Sequence, residues 1–121
     1  MKRTSARELA FKTIYSKFFN NDEINNSELE EQEEFTKKIL QSFSQHKDEI
    51  NELISSHLKG YTIERLFKVD LAILTLAVIE LKYIQENPKQ VIINEAVELA
   101  KKYSTEKSPR FINGVLADIV N

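Results

Sequence analysis

Residues 69–85 read Val-Asp-Leu-Ala-Ile-Leu-Thr-Leu-Ala-Val-Ile-Glu-Leu-Lys-Tyr-Ile-Gln. Up to Leu81 only Asp70, Thr75 and Glu80 are polar, and the apolar positions run all the way round a helix. A helix that is apolar on every side is one surrounded by others. The uninterrupted part is far shorter than the roughly 20 residues a membrane span needs. The stretch therefore predicts the central, buried helix of an all-α bundle.

Reading outward, Asn87-Pro88 breaks this helix, because the residue before Pro is pushed out of the α region. A helix over about 91–103 buries Ile92, Ala96, Val97, Leu99 and Ala100, with Glu98 facing Lys102 at i+4. Ser108-Pro109 is a helix start, and the last helix buries Phe111, Ile112, Val115, Leu116 and Ile119. Gly114 inside it costs about 1 kcal/mol relative to Ala, which predicts close approach of another helix. Asn94 and Asn113, polar among apolar neighbours, are expected as buried hydrogen-bond staples. Upstream, Gly60 ends a segment at 47–58, and 62–66 forms one short helical turn. Ser27 with Glu30, and Ser5 with Glu8, have the spacing of capping boxes. They open a helix burying Leu29, Phe35, Ile39, Leu40 and Phe43, and a first helix running to about Asn20. The Asn-rich stretch 20–26 between them is a loop. The sum is a compact all-α bundle of six or seven helices around one central buried helix, as a single domain over 1–121.

Composition narrows function by exclusion. At 121 residues, 41% hydrophobic and 30% charged, the chain has room for one real core. It has no Cys, so disulfides, Cys-based zinc sites and thiol nucleophiles are absent, and only two Gly, so no phosphate-cradling loop can be written. No apolar run follows Lys2 and Arg3, so the chain reads as cytoplasmic. Net charge is −2, but unevenly spread. Residues 1–17 hold five bases against Glu8 alone, 21–34 hold seven acids and no base, and 101–110 turn basic again. Such local fields persist over about 8–10 Å and can hold an anion on a globally acidic protein.

Candidate sites are few. His46 and His57 sit beside no nucleophile and in no metal-binding arrangement, and the acids at 28–34 lack the spacing of a calcium loop. They are expected as a solvated helix start, and no cofactor, metal or catalytic residue is expected. Arg3, Arg7, Phe11 and Tyr15 succeed one another at i+4 and form a ridge on the first helix. Guanidiniums succeeded by a flat ring suit single-stranded RNA, which is held through its phosphates and stacked bases. An ordinary solvated flank with a half-buried Tyr15 explains the same residues.

Longer strings add to this. Val69-Asp70-Leu71-Ala72-Ile73-Leu74, Glu80-Leu81, Ile93-Asn94-Glu95-Ala96-Val97-Glu98-Leu99-Ala100-Lys101 and Phe111-Ile112-Asn113-Gly114-Val115-Leu116 closely resemble the NusB family of transcription antitermination factors. Ala6-Arg7-Glu8-Leu9-Ala10 with Ile14-Tyr15 resembles that family's first helix. The resemblance covers essentially the whole chain and is weakest across 20–57. It implies a compact NusB-type all-α bundle of about seven helices and no catalysis. It implies binding of boxA RNA as a heterodimer with the ribosomal protein NusE, and recruitment to the RNA polymerase elongation complex. It leaves monomer and homodimer both open. The domain also occurs ahead of an RNA methyltransferase, which a chain ending at Asn121 is expected to lack.

Carried over by position, the family's basic motif falls on Lys2, Arg3 and Arg7, and its RNA-linked tyrosine on Tyr15. The loop before the last helix falls on Lys107, Arg110 and Phe111, and the acid linked to NusE binding is Asp70. Many members carry more arginines where this chain has Lys2-Arg3-Thr4-Ser5, and often Trp where it has Tyr61. Fewer phosphate contacts imply weaker binding and a shallower salt slope, about −0.7 per phosphate on single strands. RNA binding is therefore expected to depend on NusE. The alternative is a helical protein–protein adaptor without sequence-specific RNA binding.

Overall fold

The computed structural model describes residues 2–20 and 23–121. Among these residues there are seven α-helices and no strand: α1 (Arg3–Asn20), α2 (Asn26–Glu30), α3 (Glu34–Gln45), α4 (Lys47–Ser56), α5 (Lys68–Ile79), α6 (Lys89–Tyr103) and α7 (Ser108–Val120). A short 3₁₀ turn, Ile63–Arg65, precedes α5. Positions 21–22 of the expected Asn-rich loop lie outside the described residues. Among the described residues no helix is long and apolar enough to cross a membrane.

The central helix is α5. Every residue from Asp70 to Ile79 is buried, and α5 packs against α1, α3, α4, α6 and α7. It stops earlier than its apolar pattern. Glu80–Ile84 forms a π turn, closed by the Gln85 amide donating to the Glu80 carbonyl at 2.8 Å. Gln85 then takes a left-handed backbone, φ 55°, which costs a non-glycine residue about 1–2 kcal/mol. One extra residue in the turn rotates the chain beyond it by about 100°. Glu80 itself keeps the register of α5, its amide reaching the Leu76 and Ala77 carbonyls, and stays in the interior, where it is 2% exposed.

Long-range partners displace several local devices. α1 begins at Arg3, so Ser5 lies inside it, and Glu8 takes hydrogen bonds from Lys102 and the Tyr103 hydroxyl instead of closing a capping box. The second box also fails. Asn25 is the cap, accepting from the Glu28 amide at 2.8 Å, and the helix breaks between α2 and α3. Lys102 turns to Glu8, leaving Glu98 to pair with Lys101 at 3.2 Å. Asn94 and Asn113 are exposed rather than buried; the carbonyl of Asn94 accepts from the Gln90 side chain.

Gly114 is exposed as well, and a Cβ built there meets nothing within 4 Å. Close helix approach does not explain it. Gly114→Ala is therefore expected to stabilise the fold by about 0.5–1 kcal/mol through helix propensity alone. A thermal melt should rise by a few degrees; an unchanged or lower Tm would contradict the open environment.

Candidate nucleic-acid interface

The i+4 ridge on α1 drifts by about 40° per step, which carries its members through different environments. Arg3 is exposed. Its guanidinium lies 4.5 Å from the Phe35 ring centroid and donates to Glu86 at 2.8 Å. Arg7, one turn on, is 3% exposed. Its Nε and Nη2 clasp both oxygens of Glu80 at 2.7 and 3.0 Å, and Nη1 lies 3.6 Å from Glu95. Phe11 is buried, Tyr15 half-buried, and Phe19 is 63% exposed. The expectation of one solvent-facing ridge is thus corrected at Arg7. The drift turns its side chain against Glu80, which follows the buried α5 into the interior and takes its charge there.

Lys2 and Arg3 remain at the surface. Glu86 receives Arg3 and also Lys38 at 2.8 Å. The Lys38 hydrogen bond first, and then Arg3, hold its carboxyl below the usual glutamate range. Thr4 donates to Glu95 at 2.9 Å.

Tyr15 belongs to an aromatic row. Ring centroids are 4.8 Å apart for Tyr15–Phe19, 6.3 Å for Phe11–Tyr15 and 5.3 Å for Phe11–Tyr103. Lys12 and Lys102 lie 5.5 and 5.3 Å from the Tyr103 ring centroid. Sequence reasoning missed Phe19, Tyr103, Lys12 and Lys102. Phe19 carried a signal, its i+4 spacing from Tyr15; Tyr103 carried none, since its neighbours come from the other end of the chain.

Tyr103 ends α6, and the next residue leads into the second basic patch. Ser104 donates to Asp70 at 2.6 Å and Ser108 to its other oxygen at 3.0 Å. Asp70 is 4% exposed, so its carboxylate fastens the loop at 104–108 rather than facing solvent. Around it a shallow groove of about 200 Å³ gathers Tyr61, Phe67, Lys107 and Phe111. Tyr61 and Phe111 meet edge to face at 5.8 Å, and Tyr61 and Phe67 are more than half exposed. Lys107 and Arg110 are exposed at the start of α7. The structure thus brings Lys107, Phe111 and Asp70 to one groove, with Arg110 beside it. Lys2 and Arg3 lie at the far end of α1, about 18 Å from Tyr15 along the helix axis.

The histidines join other contacts. His46 stacks on Tyr83 with ring centroids 4.1 Å apart. His57 lies 2.6 Å from Asp118, and that bond holds the Asp118 carboxyl below its usual range. Among the described residues no three acidic or histidine side chains form a cluster that could hold a metal ion.

A sequence profile described as the NusB family matches residues 4–121. The chain belongs to the NusB family. It is 42% identical over 123 residues to the transcription antitermination protein NusB of Listeria monocytogenes serotype 4a (strain HCC23), covering 98% of this chain and 96% of that one. It is 39% identical over 143 residues to the protein of that name from Clostridium botulinum (strain Kyoto / Type A2), covering 99% and 100%. Among solved structures, NusB of T. maritima superposes with a TM-score of 0.88 at 32% identity, over 98% of this chain and 90% of that one. A structure of the antitermination factors NusB and NusE in complex with double-stranded RNA superposes with a TM-score of 0.83 at 31% identity, over 97% and 94%. The all-α bundle read from the sequence is the NusB fold, and the relatives are named for antitermination, not for an enzymatic activity.

Proposed function

We propose that this protein is a cytoplasmic, non-catalytic antitermination factor whose residues 1–121 act as one RNA-binding domain. With NusE it holds boxA-type single-stranded RNA and joins the RNA polymerase elongation complex during ribosomal RNA synthesis. One observation beyond family membership supports this. Two pairs of exposed cations, Lys2 with Arg3 at the start of α1 and Lys107 with Arg110 at the start of α7, accompany two aromatic groups, Tyr15, Phe19 and Tyr103 on α1 and α6, and Tyr61 with Phe111 beside α7. Cations meet phosphates and ring faces meet bases without further ordering. In this proposal Lys2, Arg3, Tyr15, Lys107, Arg110 and Phe111 contact RNA. Arg7 positions the start of α1 from inside, and Asp70 acts on a partner by fixing the loop at 104–108.

The test is fluorescence anisotropy of labelled boxA RNA, a scrambled strand and a boxA duplex, with and without NusE, at about 50 and 200 mM salt. Selective, salt-sensitive binding to the single strand that needs NusE is expected. Lys107→Ala with Arg110→Ala should flatten the salt slope by about 1.4, two phosphates' worth. Glu86→Gln should tighten binding by about two- to fivefold, because it frees Arg3 from a competing carboxylate. If the NusE complex binds RNA no better than NusE alone, the protein is an adaptor; the burial of Arg7, which removes one cation from the surface, favours that second reading.

A further inference from the structure

Arg3 and Lys38 come from different helices and converge on one carboxylate. Arg3 Nη2 donates to Glu86 Oε1 and Lys38 Nζ to Oε2, each at 2.8 Å. Both cations are anchored on α3. The Arg3 guanidinium rests 4.5 Å from the ring centroid of Phe35, which is 7% exposed. Lys38 stands three residues after Phe35, on the same side of the helix. Glu86 is less constrained, lying on the short connection between the π turn and α6 with its side chain 31% exposed. Two helices thus hold a pair of cations around a place for one anion, and the anion in that place hangs from a loop.

The place suits a phosphodiester. Like a carboxylate, it spreads one negative charge over two oxygens, and it can bridge the same two cations with one oxygen each. Arg and Lys are the side chains that ordinarily meet nucleic-acid phosphates. With Glu86 in place neither cation has charge left over, since Glu34 acts on Lys38 as well. An outside anion therefore enters by exchange with the carboxylate, not beside it. Exposed ion pairs of this kind are weak and screened by salt. A strand that also meets Lys2 brings further phosphates and releases counterions as it binds, an advantage that a lone anion lacks. Lys38 also answers a shortage: with Arg7 inside, the start of α1 presents only Lys2 and Arg3 as surface cations.

We infer that Lys38 is a further RNA contact, holding with Arg3 one backbone phosphate in the place that Glu86 takes when RNA is absent. The inference rests on the RNA-binding function proposed above. The test is anisotropy of labelled RNA with the NusE complex at about 50 and 200 mM salt. Lys38→Gln, at a side chain 44% exposed, should leave Tm unchanged. It should weaken boxA and scrambled RNA alike, by about two- to threefold, because a phosphate contact carries no sequence. The salt slope should flatten by about 0.7. In Glu86→Gln, where no carboxylate competes for the ammonium, the same change should weaken binding by about fivefold. Lys82→Gln removes an equal charge from an exposed lysine beside Leu53 and Ile119, and should move the slope far less. RNA binding that survives Lys38→Gln undiminished in both backgrounds, or falls equally in Lys82→Gln, would overturn this inference alone. So would weaker binding of Lys38→Gln to NusE without RNA, which makes the pair a protein contact. A shift of the Lys38 amide with millimolar inorganic phosphate alone would make it a free-phosphate site and overturn the RNA assignment too. No RNA binding by the native complex would overturn the proposed function, and this inference with it.

Discussion

Arg7→Ala is expected to destabilise the fold by about 3–5 kcal/mol, a large share of a small domain's total stability. Arg7 and Glu80 are both almost wholly inaccessible, and two hydrogen bonds of 2.7 and 3.0 Å join them. Removing the guanidinium leaves Glu80 charged and unpaired in the interior, with Glu95 close by. Arg7→Lys should lose less, because it keeps the charge but cannot clasp both oxygens of Glu80 and reach Glu95 together. Thermal unfolding checks this: Arg7→Ala should lower Tm on the order of 10–20 °C. The opposite pattern is equally definite. If Arg7 were a phosphate contact, its removal would leave Tm unchanged and cut the RNA salt slope by about 0.7. Glu80→Ala should reproduce the loss of stability, because it strands the guanidinium in turn.

The same pair marks how far the sequence could be read. The central helix was legible because a run such as Ile73, Leu74 and Leu76 to Ile79 leaves no face for water, a property of the run itself. Asn87-Pro88 and Ser108-Pro109 were legible for the same local reason, since Pro restricts its neighbours wherever it sits. The fate of Arg7 was not, because its partner lies 73 residues away and meets it only once α1 packs on α5. No residue type at 80–84 announces the π turn either. Glu8 and Lys102 show the same limit from the other side. Each had a local partner at good spacing, Ser5 and Glu98, and each preferred the other across the α1–α6 contact. Asn94 and Asn113 misled because their apolar neighbours in sequence point to a different side of the helix. Of the candidate site, charge arithmetic found both basic ends. It could not find the row from Phe19 to Tyr103, which exists only once Tyr103 of α6 meets Phe11 of α1.

Asp70→Ala is expected to cost about 3 kcal/mol, since each of its two hydroxyl hydrogen bonds, from Ser104 and Ser108, is made to a charged acceptor. Asp70→Asn should cost about 1 kcal/mol, because the hydroxyls can rotate to donate to the amide oxygen and accept from its nitrogen. The two variants separate contact from positioning. Should Asp70 meet NusE directly through its charge, Asn would abolish the complex while the fold stayed intact. A carboxylate buried beneath the loop at 104–108 acts otherwise, by fixing where Lys107 and the start of α7 stand. Hydrogen exchange at Thr105 to Lys107 should then quicken strongly in Asp70→Ala and slightly in Asp70→Asn. Affinity for NusE and RNA should fall in the same order, because ordering a loosened loop on binding costs conformational entropy that the native hydrogen bonds have already met.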